Sequence, residues 1–344
     1  MSSVSELTAE TPVLEIENLR VTYGSAGGTV LATDDVSLAA RAGERIGIIG
    51  ETGSGKSTLV RAIVGLLGQN AAISSGEILF RGDRVYGGPT TTDTRAKLRG
   101  TSVGMVFQDA SGTLNPVMRA GRQLSEIVRA HRAERGKQAR QLIQETLESL
   151  QFDDPIRVMR AYPFQLSGGM CQRVAIAAAI LPEPDVVIAD ECTSALDVTT
   201  QAQVVGILRE ATVSRNMTLL FVTHDILLAS ELCTRLVVMY AGQIVEDGDA
   251  QELVLAPKHW YTKSLIDSVP LWRAERRSTA ELAAAAYVPE QHEGCRFASR
   301  CSACVPECVR TRVGWTVDSD GHAYRCIRPL KYSTGRLSAR APAK

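Results

Sequence analysis

Three groups of residues in this 344-residue chain are of types and spacings that could do chemistry. The first is Gly50-Glu51-Thr52-Gly53-Ser54-Gly55-Lys56-Ser57, followed by Thr58. Glycines there let backbone N–H groups turn inward around phosphate oxygens, and the start of a helix adds a favourable dipole. Lys56 supplies a point charge for β- and γ-phosphates, and Ser57 a hydroxyl for Mg²⁺. The second group is Asp190-Glu191, two carboxylates closing the apolar run Val186-Val187-Ile188-Ala189. A strand of that kind delivers Asp190 to a metal ion, while Glu191 can polarise an attacking water as general base. The third is a crowd of thiols: of 8 cysteines, Cys295, Cys301, Cys304, Cys308 and Cys326 fall in one short stretch.

The elements needed to position these groups are legible around them. Residues 13–23 and 29–38 alternate apolar and polar like half-buried strands, which suggests an antiparallel layer. Arg45 to Ile49 reads as a short buried strand feeding the Gly-rich loop, and Lys56 to about Leu67 as the helix after it. Further strands are expected within 76–86, at Ser102–Phe107, Asp185–Ala189, Thr218–Val222 and Leu236–Tyr240. Gln243–Glu246 is expected to be the hairpin partner of the last strand. From about Val117 to Leu181 the pattern is helical, and helical again over Asp197–Val213. Strands alternating with helices imply a largely parallel sheet covered on both faces, interrupted by a helical insertion.

Composition narrows the class. Lys plus Arg and Asp plus Glu both number 38, so no basic excess marks a nucleic-acid binder. No run approaches the ~20 apolar residues that span a bilayer, and the polar start shows no secretory signal. A cytoplasmic location is therefore expected, with any membrane role exercised through partners. In that compartment a cysteine cluster reads as metal binding before it reads as disulfides.

Leu166-Ser167-Gly168-Gly169-Met170 resembles the LSGGQ signature of the ABC family. In that family the motif closes over ATP held by the other subunit of a head-to-tail dimer, which assigns Ser167, Gly168 and Gly169 to a nucleotide bound by the partner. Other family elements follow in order. Tyr23 resembles the aromatic that stacks on adenine, Gln108 the glutamine that touches Mg²⁺ and couples to membrane subunits, Asp197 the D-loop aspartate, and His224 the switch histidine on the γ-phosphate. Asn115-Pro116-Val117-Met118, Val238-Met239-Tyr240-Ala241-Gly242 and Tyr261-Thr262-Lys263-Ser264-Leu265 are similar to the oligopeptide/dipeptide/nickel importer ATPases, with Met170 and Thr223-His224-Asp225 favouring the first of two paired ATPase subunits.

That resemblance covers roughly residues 13–330. It implies an α/β P-loop NTPase of the ABC cassette type, with an antiparallel β subdomain, an inserted helical subdomain (about 115–182) and a small Cys-rich C-terminal appendage. The expected divisions are a disordered 1–11, a nucleotide-binding domain over 12–270, a linker and Cys-rich region over 271–332, and a disordered 333–344. The implied activity is ATP hydrolysis driving import of peptides, with nickel, glutathione or another small solute as alternatives and a non-transport ABC ATPase ranked below them. Implied partners are a second ATPase subunit, expected to be a paralogue, two transmembrane permeases and an extracytoplasmic solute-binding protein, with the chain on the cytoplasmic face of the membrane. The tail of the same family can carry a [4Fe–4S] cluster, which assigns Cys295, Cys301, Cys308 and Cys326 as ligands. The thiolates by themselves suit zinc equally, a redox disulfide or no metal stays open, and Cys304 is a spare thiol. Departures from the family pattern are Cys192 after Glu191, Cys171 in the signature, Trp260 before Tyr261, and Ala110-Ser111 after the Gln108 segment. None removes a catalytic group.

Overall fold

The computed structural model describes residues 11–25, 28–88, 93–269 and 294–332. The expected disorder over 333–344 and over all but the last residue of 1–11 lies outside those residues, as does the 271–293 part of the expected linker and Cys-rich region.

Two sheets organise the chain. The first is antiparallel, in the order β2 (Gly28–Ala40), β1 (Leu14–Ser25), β4 (Ala71–Phe80), β5 (Asp83–Tyr86). Leu14, Ile16, Leu19 and Val21 alternate inward along β1 and are essentially unexposed, the period-2 signal of a half-buried strand. The second sheet is built on five parallel strands in the order β6 (Val103–Val106), β7 (Val186–Asp190), β8 (Thr218–Thr223), β3 (Arg45–Ile49), β9 (Arg235–Tyr240). All of β7 and β8 is buried, as the continuous apolar runs require of strands covered on both faces. β10 (Gln243–Asp249) adds antiparallel to β9.

Helix α1 (Lys56–Ile63) follows the Gly-rich loop and buries Leu59, Val60, Ala62 and Ile63. It stops four residues before Leu67, where the apolar pattern placed its end. Gly65 takes φ +65°, its N–H bonds to Ala62 O, and Leu66 N–H reaches back to Arg61 O. That pair of bonds is a Schellman termination, which satisfies the last carbonyls and turns the chain. The helical block comprises α2 (Ala110–Thr113), α3 (Ala120–His131), α4 (Gly136–Ser149), α5 (Pro155–Arg160) and α6 (Gly168–Ile180). Its residues Leu124, Val128, Ile143 and Leu147 share one apolar core with α6 and with β7 and β8. The remaining helices are α7 (Val198–Ser214), α8 (Ile226–Leu232), α9 (Ala250–Leu255) and α10 (Trp260–Asp267). None of the helices among the described residues is long and apolar enough to cross a membrane.

The C-terminal segment is less separate than an appendage stapled by its own thiols would be. It contributes α11 (Pro306–Arg310), β11 (Thr316–Val317) and β12 (Ala323–Tyr324). β12 pairs antiparallel with β10, so the segment extends the central sheet to eight strands. Phe297 is 2% exposed and belongs to the main core. Ion pairs Arg296–Asp34, Arg312–Asp35 and Lys258–Asp318 add polar fastening. A piece too small to bury a core of its own gains stability by sharing one.

Candidate functional site

Parallel order puts the carboxyl ends of β6, β7, β8 and β3 side by side, the edge at which open α/β sheets bind ligands. Gln108 follows β6, Asp190 and Glu191 close β7, His224 follows β8, and the loop 50–55 follows β3. Four segments far apart in sequence thus meet on one edge.

The loop is shaped by close backbone approaches. A Cβ on Gly50 would lie 2.2 Å from Met239 O, and one on Gly55, at φ +100°, 2.4 Å from Ala32 O. No side chain fits at either place. Lys56 opens α1 with 3% exposure, and its Nζ donates to the carbonyls of Gly50 (2.7 Å) and Glu51 (3.0 Å). Its third direction faces Glu191 Oε1 at 3.7 Å. Burial pulls the Lys56 ammonium below its usual range, opposed by the charges of Glu191 and Asp190. Ser57 Oγ donates to Asp190 Oδ1 at 2.9 Å. Asp190 is 3% exposed, and burial raises its pKa against the pull of that hydrogen bond. The buried Ser54 hydroxyl has no hydrogen-bond partner among the described residues, so it can bond a group brought into the loop. Thr52 and Gly53 are exposed on the rim of the loop. Tyr23 is half-buried, with its hydroxyl 3.4 Å from Thr58 Oγ1, which sets the ring beside the start of α1.

Glu191 holds a left-handed backbone, φ 46°, with its N–H bonded to Val222 O at 2.9 Å. Sparsely populated geometry in a bulky residue is the kind of strain concentrated at functional positions. Gln108 Nε2 donates to Glu191 Oε2 at 3.3 Å. Lys56, Glu191 and Gln108 are therefore one bonded set and Ser57 and Asp190 a second, brought side by side because Lys56–Ser57 and Asp190–Glu191 are neighbours in the chain, and His224 stands exposed at the neighbouring strand end.

Ser167, Gly168 and Gly169 lie elsewhere, at the start of α6. Ser167 is its N-cap and accepts from Met170 N–H at 3.3 Å. Ser167 and Gly168 are exposed, whereas a Cβ on Gly169 would meet Thr200 Cγ2 of α7 at 2.7 Å. Asp197 is the exposed N-cap of α7, accepting from Thr200 N–H and Oγ1 at 3.0 and 2.7 Å. Those bonds hold its carboxyl below the usual range. None of these side chains hydrogen-bonds the network around Lys56 among the described residues.

Cys295, Cys301, Cys308 and Cys326 line one small cavity with His259, Phe297 and Ala298. Cys304 is exposed and is not among the residues that line it. Burial raises Cys295 to about 11 and Cys326 to about 12. The four sulfurs surround a common space without converging to metal-ligating distance; nowhere among the described residues do three or more such groups converge. Sequence patterns did not single out His259, which is 1% exposed. Its Nδ1 accepts from Tyr261 N–H (3.1 Å), which leaves the Nε2 proton facing Cys295 Sγ at 3.7 Å. Buried Glu246 fixes the same corner, accepting from His259 N–H at 3.0 Å and bonding His322 Nε2 at 2.8 Å. Cys171, Cys192 and Cys233 are buried away from it.

Residues 33–194 match the ABC transporter family, and residues 245–308 match the oligopeptide/dipeptide transporter C-terminal region. The chain is 36% identical over 321 residues to the dipeptide transport ATP-binding protein DppD of Escherichia coli, covering 92% of this chain and 97% of that one. It is 42% identical over 258 residues to the oligopeptide transport ATP-binding protein OppD of Lactococcus lactis, covering 75% and 76%. Among solved structures, a dimeric post-hydrolysis ATP-binding cassette bound to ADP and phosphate superposes with a TM-score of 0.60 at 28% identity, over 69% of this chain and 98% of that one. Lys56, Ser57, Gln108, Asp190 and Glu191 gathered at the carboxyl edge of a parallel sheet, on a chain so closely matched, make this protein an ABC transporter ATPase of the oligopeptide/dipeptide transporter family.

Proposed function

We propose that the chain hydrolyses ATP to drive import of oligo- or dipeptides through separate permease subunits. The observation that carries this reading is the meeting of two bonded sets, Lys56–Glu191–Gln108 and Ser57–Asp190, at one sheet edge, on a chain similar along nearly its whole length to a dipeptide transport protein. Loop N–H groups and Lys56 hold the phosphates, with Thr52, Gly53, Ser54, Gly55 and Thr58 around them. Ser57, Asp190 and Gln108 are suited to hold Mg²⁺, which would spread the charge on the β- and γ-oxygens. Glu191 takes the proton of the attacking water and His224 contacts the γ-phosphate. Tyr23 stacks on the base. Ser167, Gly168, Gly169 and Asp197 complete the nucleotide site of a second cassette, proposed to be a paralogue. Positioning and electrostatics do most of the work. ATP drives closure only as far as it binds the closed pair better than the open one. A solute-binding protein on the far side selects the cargo, and this chain works at the cytoplasmic face. The test is uptake of labelled peptides by vesicles containing the assembled transporter. ATP-dependent peptide accumulation supports the reading; accumulation of nickel or glutathione instead replaces the cargo and leaves the ATPase in place.

We further propose that Cys295, Cys301, Cys308 and Cys326 hold a [4Fe–4S] cluster, with zinc as the alternative. The reading is supported by four thiols lining one small cavity and by a proton of His259 directed at the sulfur of Cys295, a kind of outer contact that orients a metal ligand. A cluster there would cross-link the segment through soft thiolate bonds and take no part in hydrolysis. Anaerobic purification with metal analysis tests it: about four iron and four sulfide per chain, with absorption near about 400 nm, is the expected result.

A further inference from the structure

The phosphate loop carries an acid at its second position, Glu51. A carboxylate beside a triphosphate is repelled by it, so something has to hold Glu51 neutralised and turned aside. Both restraints come from far along the chain. Arg300 Nη1 and Nη2 donate to Glu51 Oε2 and Oε1, each at 2.9 Å, a two-pronged guanidinium–carboxylate pair. Tyr261 Oη accepts the backbone N–H of Glu51 at 2.8 Å. Arg300 sits on the short turn Ala298–Arg300, between Cys295 and Cys301. Its guanidinium lies over the rings of Phe297 (5.6 Å) and Tyr240 (5.8 Å). Tyr261 is wholly buried against the same two rings, at 4.4 Å from Tyr240 and 5.4 Å from Phe297. An aromatic trio thus seats the cysteine-bearing turn directly against the loop.

We propose that Arg300 is a positioning residue for ATP binding: it neutralises Glu51 and, with Tyr261, fixes the start of the phosphate loop, so that docking of the cysteine-rich segment sets the loop's affinity for the triphosphate. Arginine is required, because lysine offers a point charge and cannot grip both carboxylate oxygens in one plane. The proposal rests on the assignment of residues 50–57 as the phosphate cradle.

Titration of the full-length chain with fluorescent mant-ATP tests it. Arg300→Ala is expected to raise the dissociation constant about fivefold, the effect of losing a half-exposed ion pair of about 1 kcal/mol. Arg300→Lys recovers only part of that. Adding Glu51→Gln to Arg300→Ala restores most of the affinity, because the repulsion is gone. Unchanged affinity in Arg300→Ala would overturn the proposal. So would a loss that Glu51→Gln leaves undiminished, since Arg300 would then act by holding the segment folded. Tyr261→Phe removes one hydroxyl, and hydrogen exchange at the Glu51 amide should quicken about fivefold; unchanged exchange overturns the Tyr261 part. Lys56→Ala separates the layers: if it binds mant-ATP like the unaltered chain, the cradle assignment fails, whatever Arg300 does.

Discussion

The two halves of the nucleotide machinery on this chain are built differently. Around the phosphate loop, Lys56 and Asp190 are each 3% exposed and the polar groups bond one another. At the signature end, Ser167, Gly168 and Asp197 are exposed, and Val198 is 83% exposed. The first half carries its own desolvation and is complete as a cradle. The second shows a helix N-terminus and an open glycine to solvent, with side chains satisfied only by the caps they make. A surface that offers phosphate-binding groups with no pocket around them is suited to closing over a ligand held by another molecule. On the proposed function, one half answers to binding by this chain and the other to turnover by a pair.

The largest effect expected is on the first half. Glu191→Gln should lower turnover by about 10²–10⁴-fold, the range for losing a general base, while MgATP still binds; steady-state hydrolysis by the assembled transporter checks it, and an unchanged rate removes Glu191 from that role. Lys56→Ala should weaken ATP binding roughly 100-fold, on the scale of ~3 kcal/mol for hydrogen bonds to a buried charge, measured by calorimetry. On the second half, Gly168→Asp places an acid at the first position of α6, which helices tolerate, and its Cβ would meet the rest of the described chain only at Leu196 Cδ2, an ordinary 3.8 Å. Turnover should fall at least about tenfold with the melting temperature unchanged. Its neighbour behaves oppositely: Gly169→Ala meets Thr200 within the chain, so it should cost stability, about 1–3 kcal/mol by denaturant melt. A stable Gly169→Ala beside a destabilised Gly168→Asp would reverse the division between the two glycines. Smallest is removal of metal by a chelator. If the thiols hold a cluster, stripping it should lower the melting temperature by a few degrees, because β12 and Phe297 still anchor the segment.

The strand-ending carboxylates, the Gly-rich loop and the signature turn could all be read from sequence because each is a short contiguous pattern. Arg45–Ile49 was found to the residue, since a buried strand before a glycine leaves little choice. The end of α1 was misplaced by four residues: the apolar pattern runs on to Leu67, and only the bonds made around Gly65 decide the stop. The Arg300–Glu51 pair spans 249 positions. No local pattern encodes such a contact; it follows from β12 joining β10 and from Phe297 entering the core. His259 was illegible for the same reason, since only the fold brings it to Cys295. A lone signal existed for Glu51, an acid in a loop meant for phosphate, whose charge asks for a distant cation.

The most direct test of the two-half division is Gly168→Asp examined twice: ATP binding by the chain alone, and ATP hydrolysis by the complete transporter. Unchanged binding with hydrolysis lost is the predicted result. Binding and hydrolysis falling together, or hydrolysis persisting at the full rate, would contradict it.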